Sequence, residues 1–326
     1  MTLAVPYERL SPDVVLSAVE SLGLNCDGRM LALASYENRV YQIGTDSGFI
    51  VAKFYRPERW SDEAILEEHE FSLELAAGDI PVVPPLRLDA KTLHEYAGYR
   101  FAVFERRGGH WPELATEEER RWMGRFLGRM HALGAVKPFR TRPELSVERL
   151  GWRSVEELLA GNWIPPHLTD SYRRIAEDVL DAVERNFAAA GAYRSIRIHG
   201  DCHRGNVLWT DAGPHFVDLD DCVNGPAVQD LWLFLAGKPD ETARQLDDLL
   251  EGYRQFHDFH YAELGLIEAL RALRIIHYTA WIAGRWTDPA FPAAFPWFSE
   301  TKYWEEHVLT LKEQRAALDE PPPSVS

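Results

Sequence analysis

The sequence predicts an α+β chain folded in two lobes, a small antiparallel-sheet N-lobe followed by a larger, mostly helical C-lobe. Three observations predict it. Residues 39–43 and 49–54 read as two strands joined through Thr45-Asp46-Ser47-Gly48, which makes a hairpin. A further strand at 99–104 runs into Glu105-Arg106-Arg107-Gly108-Gly109, where a Gly pair breaks the pattern. From Thr116 onward apolar residues recur mainly at helical spacing. At 326 residues, 46% of them hydrophobic, the chain is long enough for both lobes to bury a core. The expected boundaries are 1–105 for the N-lobe, 106–109 for a hinge and 110–326 for the C-lobe.

Taken in order, Ser11-Pro12-Asp13 is a helix start, with Val14, Ala18 and Leu22 on one face until Gly23. The second hairpin strand carries Val51-Ala52-Lys53, a lysine among apolar neighbours: either an edge-strand charge or a phosphate-binding group. Ser61 caps a helix in which Ile65, Leu66, Leu73 and Ala76 recur at helical spacing and Glu67, Glu68 and Glu70 are candidates to pair with Lys53. Thr116 and Glu119 form a capping box for a core helix, on which His131 reads as structural. Further helices are expected near 170–190, 241–256 and 263–285. The aromatic, Pro-rich stretch 286–297 should interrupt them, and the tail 320–326 should fray.

The chemistry concentrates between His199 and Asp221. An Asp (Asp201), an Asn five residues on (Asn206) and an Asp twelve beyond that (Asp218) have the spacing of a phosphotransfer site. Such a site needs a carboxylate to accept the proton of the attacking hydroxyl, which suits Asp201, and hard oxygen donors for a divalent metal, which suit Asn206 and Asp218. His199-x-Asp201-x-His203 also has the alternation of a metallohydrolase strand. Lys53 and the acidic helix, lying upstream in the right order, favour the first reading. Asp230, after Asn224-Gly225-Pro226, is either a helix-dipole charge or a brace for the 199–206 loop.

With 35 basic and 51 acidic residues the formal charge is −16, which argues against nucleic acid as the main partner. The three cysteines, Cys26, Cys202 and Cys222, have no metal-type spacing and suit a reducing cytoplasm. No signal peptide or run of membrane-spanning length is visible.

In its motifs the sequence resembles the stress response kinase A family, within the aminoglycoside phosphotransferase and choline kinase superfamily of protein-kinase-like fold. The resemblance rests on Ser35-Tyr36-Glu37-Asn38-Arg39-Val40, Val51-Ala52-Lys53-Phe54-Tyr55-Arg56, His199-Gly200-Asp201, Phe216-Val217-Asp218-Leu219-Asp220-Asp221, Gln229-Asp230-Leu231-Trp232 and Asp288-Pro289-Ala290-Phe291-Pro292. It implies a monomeric cytoplasmic serine/threonine protein kinase of the stress response that uses ATP and Mg2+. Carried over, Asp201 is the proton acceptor, Asn206 and Asp218 are the metal ligands, Asp218 also being catalytic, and Ser35, Lys53, Glu68 and His203 serve the nucleotide or its transferred phosphate. Glu67 is the second choice for the partner of Lys53. Departures from protein kinases include the missing glycine-rich flap and Val-Asp-Leu-Asp in place of Asp-Phe-Gly. A small-molecule kinase acting on an alcohol or amino sugar, and a nucleotide-binding regulator without turnover, are the alternatives.

Overall fold

The Ser11 hydroxyl accepts a hydrogen bond from the Val14 amide and Pro12 fills the first helical position, so helix α1 begins at its cap and spans Pro12–Glu20. In the computed structural model, which describes residues 6–211 and 213–325, Val15, Ala18 and Val19 of α1 pack against the first sheet. Its strands are β1 (Cys26–Leu33), β2 (Arg39–Thr45), β3 (Gly48–Phe54), β4 (His94–Tyr96) and β5 (Tyr99–Glu105), antiparallel in the order β1-β2-β3-β5-β4. Lys53 faces Val40 of β2 on one side and Ala102 of β5 on the other. It therefore stands in the middle of the sheet, not at an edge.

Helix α2 (Asp62–Ala77) starts where the Ser61 hydroxyl accepts from the Ala64 amide. Its Ile65 packs with Tyr55 and Ala102 below the sheet, whereas Phe71 and Leu75 belong to the large core of the helical part. One helix thus ties the two halves together. The chain continues through α3 (Glu117–Gly134), α4 (Arg153–Ala160), α5 (Thr169–Ala190), β6 (Ile196–Ile198), β7 (Val207–Thr210), β8 (Gly213–Phe216), β9 (Val223–Gly225), α6 (Gln229–Trp232), α7 (Pro239–Tyr253), α8 (Ile267–Gly284), α9 (Ala290–Ala294) and α10 (Thr301–Ala317). Strand β6 pairs with β9 and β7 with β8. After β5 the chain is stitched to β7: the His110 and Trp209 amides bond each other's carbonyls at 3.1 and 2.7 Å. Gly109, at φ +152°, has no room for a side chain, because a Cβ there would meet the Trp209 carbonyl at 2.9 Å.

Three expectations need correction. The helix foreseen over 263–285 begins as a 3-10 turn, Tyr261–Leu266, before α8 takes over. The Pro-rich stretch does contain a helical turn, α9, since Pro292 lies in its first turn, where an amide needs no helical partner. The tail does not fray throughout, because Val325 packs against the large core; Ser326 lies outside the described residues.

Helices α3 and α7 approach until their backbones touch. A Cβ on Gly124 would lie 2.0 Å from the Leu249 carbonyl oxygen, and one on Gly128 would lie 2.4 Å from that of Tyr253. Replacing Gly128 with Ala should separate the helices and cost about 1–3 kcal/mol. Urea denaturation would show this as a lower midpoint at an unchanged m-value, and an unmoved midpoint would refute the close crossing.

Candidate active site

Strand β3 delivers Lys53 to the junction of sheet and helical part, where its Nζ lies 2.9 Å from Asp218, 3.2 Å from Asp220 and 3.7 Å from Glu68. The lysine is buried. Burial alone would lower its pKa, but Asp218, Asp220 and Glu68 hold it well above the usual lysine range. Glu68 is the acid of α2 that reaches Lys53. Glu67 instead accepts the amides of Arg140, Thr141 and Arg142 at 2.7, 2.8 and 2.9 Å, and Glu70 pairs with Lys137 at 2.6 Å. Successive helix positions point about 100° apart, so the face that turns Glu68 toward the sheet turns Glu67 and Glu70 away from it.

The 199–206 loop is shaped by a buried carboxylate. Asp230, fully buried at the start of α6, accepts the amides of His199 and Gly200 at 2.7 and 2.8 Å and lies 3.0 Å from His131 Nε2. Tyr253 holds the other nitrogen of His131 at 2.9 Å. Asp230 thus acts as a brace, and His131 is a structural partner of it. Gly200 turns the loop at φ +84°, where a Cβ would strike the Asp221 carbonyl at 2.3 Å.

This frame presents Asp201 with one oxygen 2.6 Å from Arg274 of α8 and the other 3.4 Å from His203 Nε2. Burial pushes the Asp201 carboxyl up, but His203 and Arg274 outweigh it and hold its pKa at about 2. Asp201 is therefore ionised at neutral pH. His203 Nδ1 accepts the Gly205 amide at 2.9 Å, which leaves Nε2 as the donor that faces Asp201. Asn206 donates its Nδ2 to the Asp201 carbonyl at 3.0 Å and leaves Oδ1 as an oxygen donor. The Val217 amide bonds the Asn206 carbonyl at 3.0 Å and sets Asp218 beside this loop. Asp218 is left-handed at φ 59°, a conformation that aspartate tolerates better than most residues.

Asn206 and the half-exposed Asp218 are two hard oxygen donors, a set suited to magnesium whose remaining positions go to phosphate and water. Among the described residues no three His, Cys, Asp or Glu side chains gather into a metal cage. The metallohydrolase alternative fails on geometry: His199 Nε2 is taken by the Val217 carbonyl at 3.0 Å, and Asp201 and His203 engage each other.

Ser35 lies half-buried in the β1–β2 connection, and its hydroxyl has no hydrogen bond among the described residues. The side chain from this connection that joins the cluster is Asn38, bonded to Asp220 at 3.1 Å. Sequence reasoning missed four participants: Arg274, Asn38, Arg59 and the contact of Asp220 with Lys53. Arg59 grips Asp220 and, at 2.5 Å, Asp221. The Leu-Asp-Asp run after Asp218 was the one available signal.

A buried lysine clamped by acids of two elements, beside a braced Asp and an Asn-Asp oxygen pair, defines a phosphotransferase. The sequence model described as "Phosphotransferase enzyme family" matches residues 30–267. Curated relatives include stress response kinase A of Escherichia coli (strain K12), 41% identical over 98% of this chain and 97% of the relative. The serine/threonine protein kinase RdoA of Salmonella typhimurium (strain LT2) has the same identity and coverage. Among solved structures, amicoumacin kinase hAmiN in complex with AMP-PNP, Ca2+ and Ami aligns with TM-score 0.71 at 20% identity, over 96% of this chain and 95% of that one. A microcompartment-associated aminopropanol kinase aligns with TM-score 0.67 at 17% identity, over 94% and 97%. The chain belongs to the phosphotransferase enzyme family and, within it, to the stress response kinase A family. It is a kinase, and its fold is of the aminoglycoside phosphotransferase and choline kinase type.

Two outcomes follow from the electrostatics. Replacing Asp230 with Ala strands two loop amides and the His131 ring, which should cost about 2–4 kcal/mol in urea denaturation; a loss under about 1 kcal/mol would show that the loop has another brace. Burial pushes the Glu68 carboxyl up to about 7, from an ordinary value near 4.5. Because the folded value is the higher one, the stability linked to Glu68 is complete below about pH 4.5 and is lost as pH rises through 7. Glu68→Gln cannot ionise, so between pH 5.5 and 8.5 it should lose on the order of 1–3 kcal/mol less than the parent.

Proposed function

We propose that the protein transfers the γ-phosphate of ATP, with Mg2+, to serine or threonine hydroxyls of protein substrates, as a cytoplasmic monomer of the bacterial stress response. The observation that carries this reading is the contact of Lys53 with both Glu68 of α2 and Asp218, next to the Asp201–Asn206 loop. In this reading residues 1–105 carry the nucleotide roof, 106–109 are the hinge and 110–326 hold the catalytic loop and the acceptor. Lys53, aimed by Glu68, leaves Asp218 for the phosphates when the nucleotide enters. Magnesium held by Asn206 and Asp218 supplies charge neutralisation of the phosphate oxygens. Asp201 orients the acceptor hydroxyl and takes its proton as the bond to phosphorus forms. His203 donates from Nε2 toward Asp201 and the arriving phosphoryl group, and the Ser35 connection covers the nucleotide.

The relative named as a serine/threonine protein kinase, at 41% identity, supports a protein acceptor. The local charges favour it over a cationic alcohol or amino sugar as well. The acids that would hold such a cation are engaged: Asp220 by Lys53 and Arg59, Asp221 by Arg59, and Glu268 by Arg271 at 3.0 Å and Gln314 at 2.8 Å.

Asp201→Ala should lower kcat by about 10²–10⁴-fold while nucleotide affinity stays close to the parent's. The check is phosphate transfer from labelled ATP onto protein and small-molecule fractions of a cell lysate. Unchanged turnover in the variant removes Asp201 from the reaction, and label confined to the small-molecule fraction removes the protein acceptor.

A further inference from the structure

The acceptor side of the site carries arginines that the phosphotransfer chemistry does not use. Residues Glu148–Trp152 form a π-helical turn that runs directly into α4. Such turns interrupt an α-helix at a cost and recur at functional positions. Within it the side chain of Arg149 makes no hydrogen bond or ion pair among the described residues, and its Nε is buried without a partner. A buried donor left in that state costs about 1–3 kcal/mol, which an arriving acceptor atom would recover.

The turn lies against α8 beside the catalytic aspartate. A Cβ on Gly151 would lie 3.1 Å from Leu273, and the next residue, Arg274, is the one bonded to Asp201. One turn further along α8, His277 is bonded to Ser154 of α4 at 3.1 Å. Burial, followed by the charges of Arg149, Arg285, Arg59 and Arg274, lowers the pKa of His277 to about 4. All four guanidinium groups thus lie within electrostatic reach of His277. Two of them are committed: Arg285 holds Glu37 at 2.8 Å, and Arg59 holds Asp220 and Asp221. Arg149 has no acid, and the acid of Arg274 is the group the acceptor hydroxyl must approach. The nearest acid to Arg149 in electrostatic terms is Asp221, already held by Arg59.

We propose that this wall of the turn and α8 selects the acceptor, and that it binds protein segments in which an acidic or phosphorylated residue flanks the target serine or threonine, the anion being read by Arg149, the guanidinium there without an acid of its own. Guanidinium forks suit this role because they bond carboxylate and phosphate oxygens in pairs. Arg149 is then a specificity-determining residue. The inference rests on the protein-kinase reading above and narrows it to one class of sequence.

The test uses the full chain with Mg2+ and labelled ATP on two serine peptides that differ only in flanking residues, Asp/Glu in one and Lys/Arg in the other. The parent should show kcat/KM at least about tenfold higher for the acidic peptide. Arg149→Gln should level the two, and Arg149→Glu should shift the preference to the basic peptide. That gain for the basic peptide cannot come from misfolding. Equal use of both peptides by the parent, a preference for the basic one, or an acidic preference that survives Arg149→Glu each overturns the proposal and leaves the kinase reading standing. Label on neither peptide, with label on the small-molecule fraction of a lysate, overturns the protein-acceptor reading and this proposal together.

Discussion

Much of the structure depends on one ammonium group buried among three carboxylates. Lys53 comes from the centre of the sheet, Glu68 from α2, and Asp218 and Asp220 from the segment after β8. Charges of one sign cannot be gathered at this spacing out of water unless opposite charge is supplied. Lys53 supplies part of it, and Arg59 and Arg142 supply more at Asp220, from the chain after β3 and from the 140–142 loop. Removing Lys53 would strand the acids around it, so this one ammonium ties the sheet, α2 and the segment after β8 to one another. In the proposed reaction the same excess of carboxylate would leave Asp218 ready to take up divalent metal once nucleotide drew Lys53 away from it.

The β1–β2 connection solves a related problem. A glycine-rich flap follows phosphates by backbone flexibility, and this connection has no glycine. It is held from outside instead. Glu37 accepts from Trp281 of α8 at 2.5 Å and from Arg285, the residue just past its end, at 2.8 Å. Asp288, just before α9, binds Arg39 and Arg56 at 3.0 and 2.7 Å. Tyr36 packs its ring on Phe291 and Phe295, with centroids 6.4 and 5.1 Å apart. The connection is thereby anchored to the helical part, and its position is set by buried ion pairs and rings in place of glycine torsions.

Local signals carried far in the sequence. The Ser61 cap, the Thr116/Glu119 capping box and the hairpin through Thr45 and Gly48 all depend on residues within a few positions of one another, and all stand where such residues put them. The Asp201, Asn206 and Asp218 spacing was legible for the same reason, since one loop and one hairpin carry all three. What stayed hidden is what only folding brings together. Arg274 reaches Asp201 across 73 positions and Asn38 reaches Asp220 across 182, and on their own elements each reads as an ordinary polar residue. Helix α9 was missed because Pro292 was weighed as a breaker without asking in which turn it falls.

The two halves of the site differ in how they constrain function. In the proposed reaction Lys53, Glu68, Asn206 and Asp218 serve the nucleotide and Asp201 serves the attacking hydroxyl, whatever molecule carries it; the kinases named for amicoumacin and aminopropanol share this fold at 20% and 17% identity. The acceptor has to be recognised by something else. In the proposal above that wall is the turn before α4 together with α8, which lie outside the 199–221 segment and touch it through Arg274. With a formal charge of −16 overall, arginines around His277 and Asp201 are not what composition alone would place there. Under the proposal, charge of the minority sign left uncompensated at Arg149 is what a site shaped by its ligand, more than by the stability of the fold, would keep.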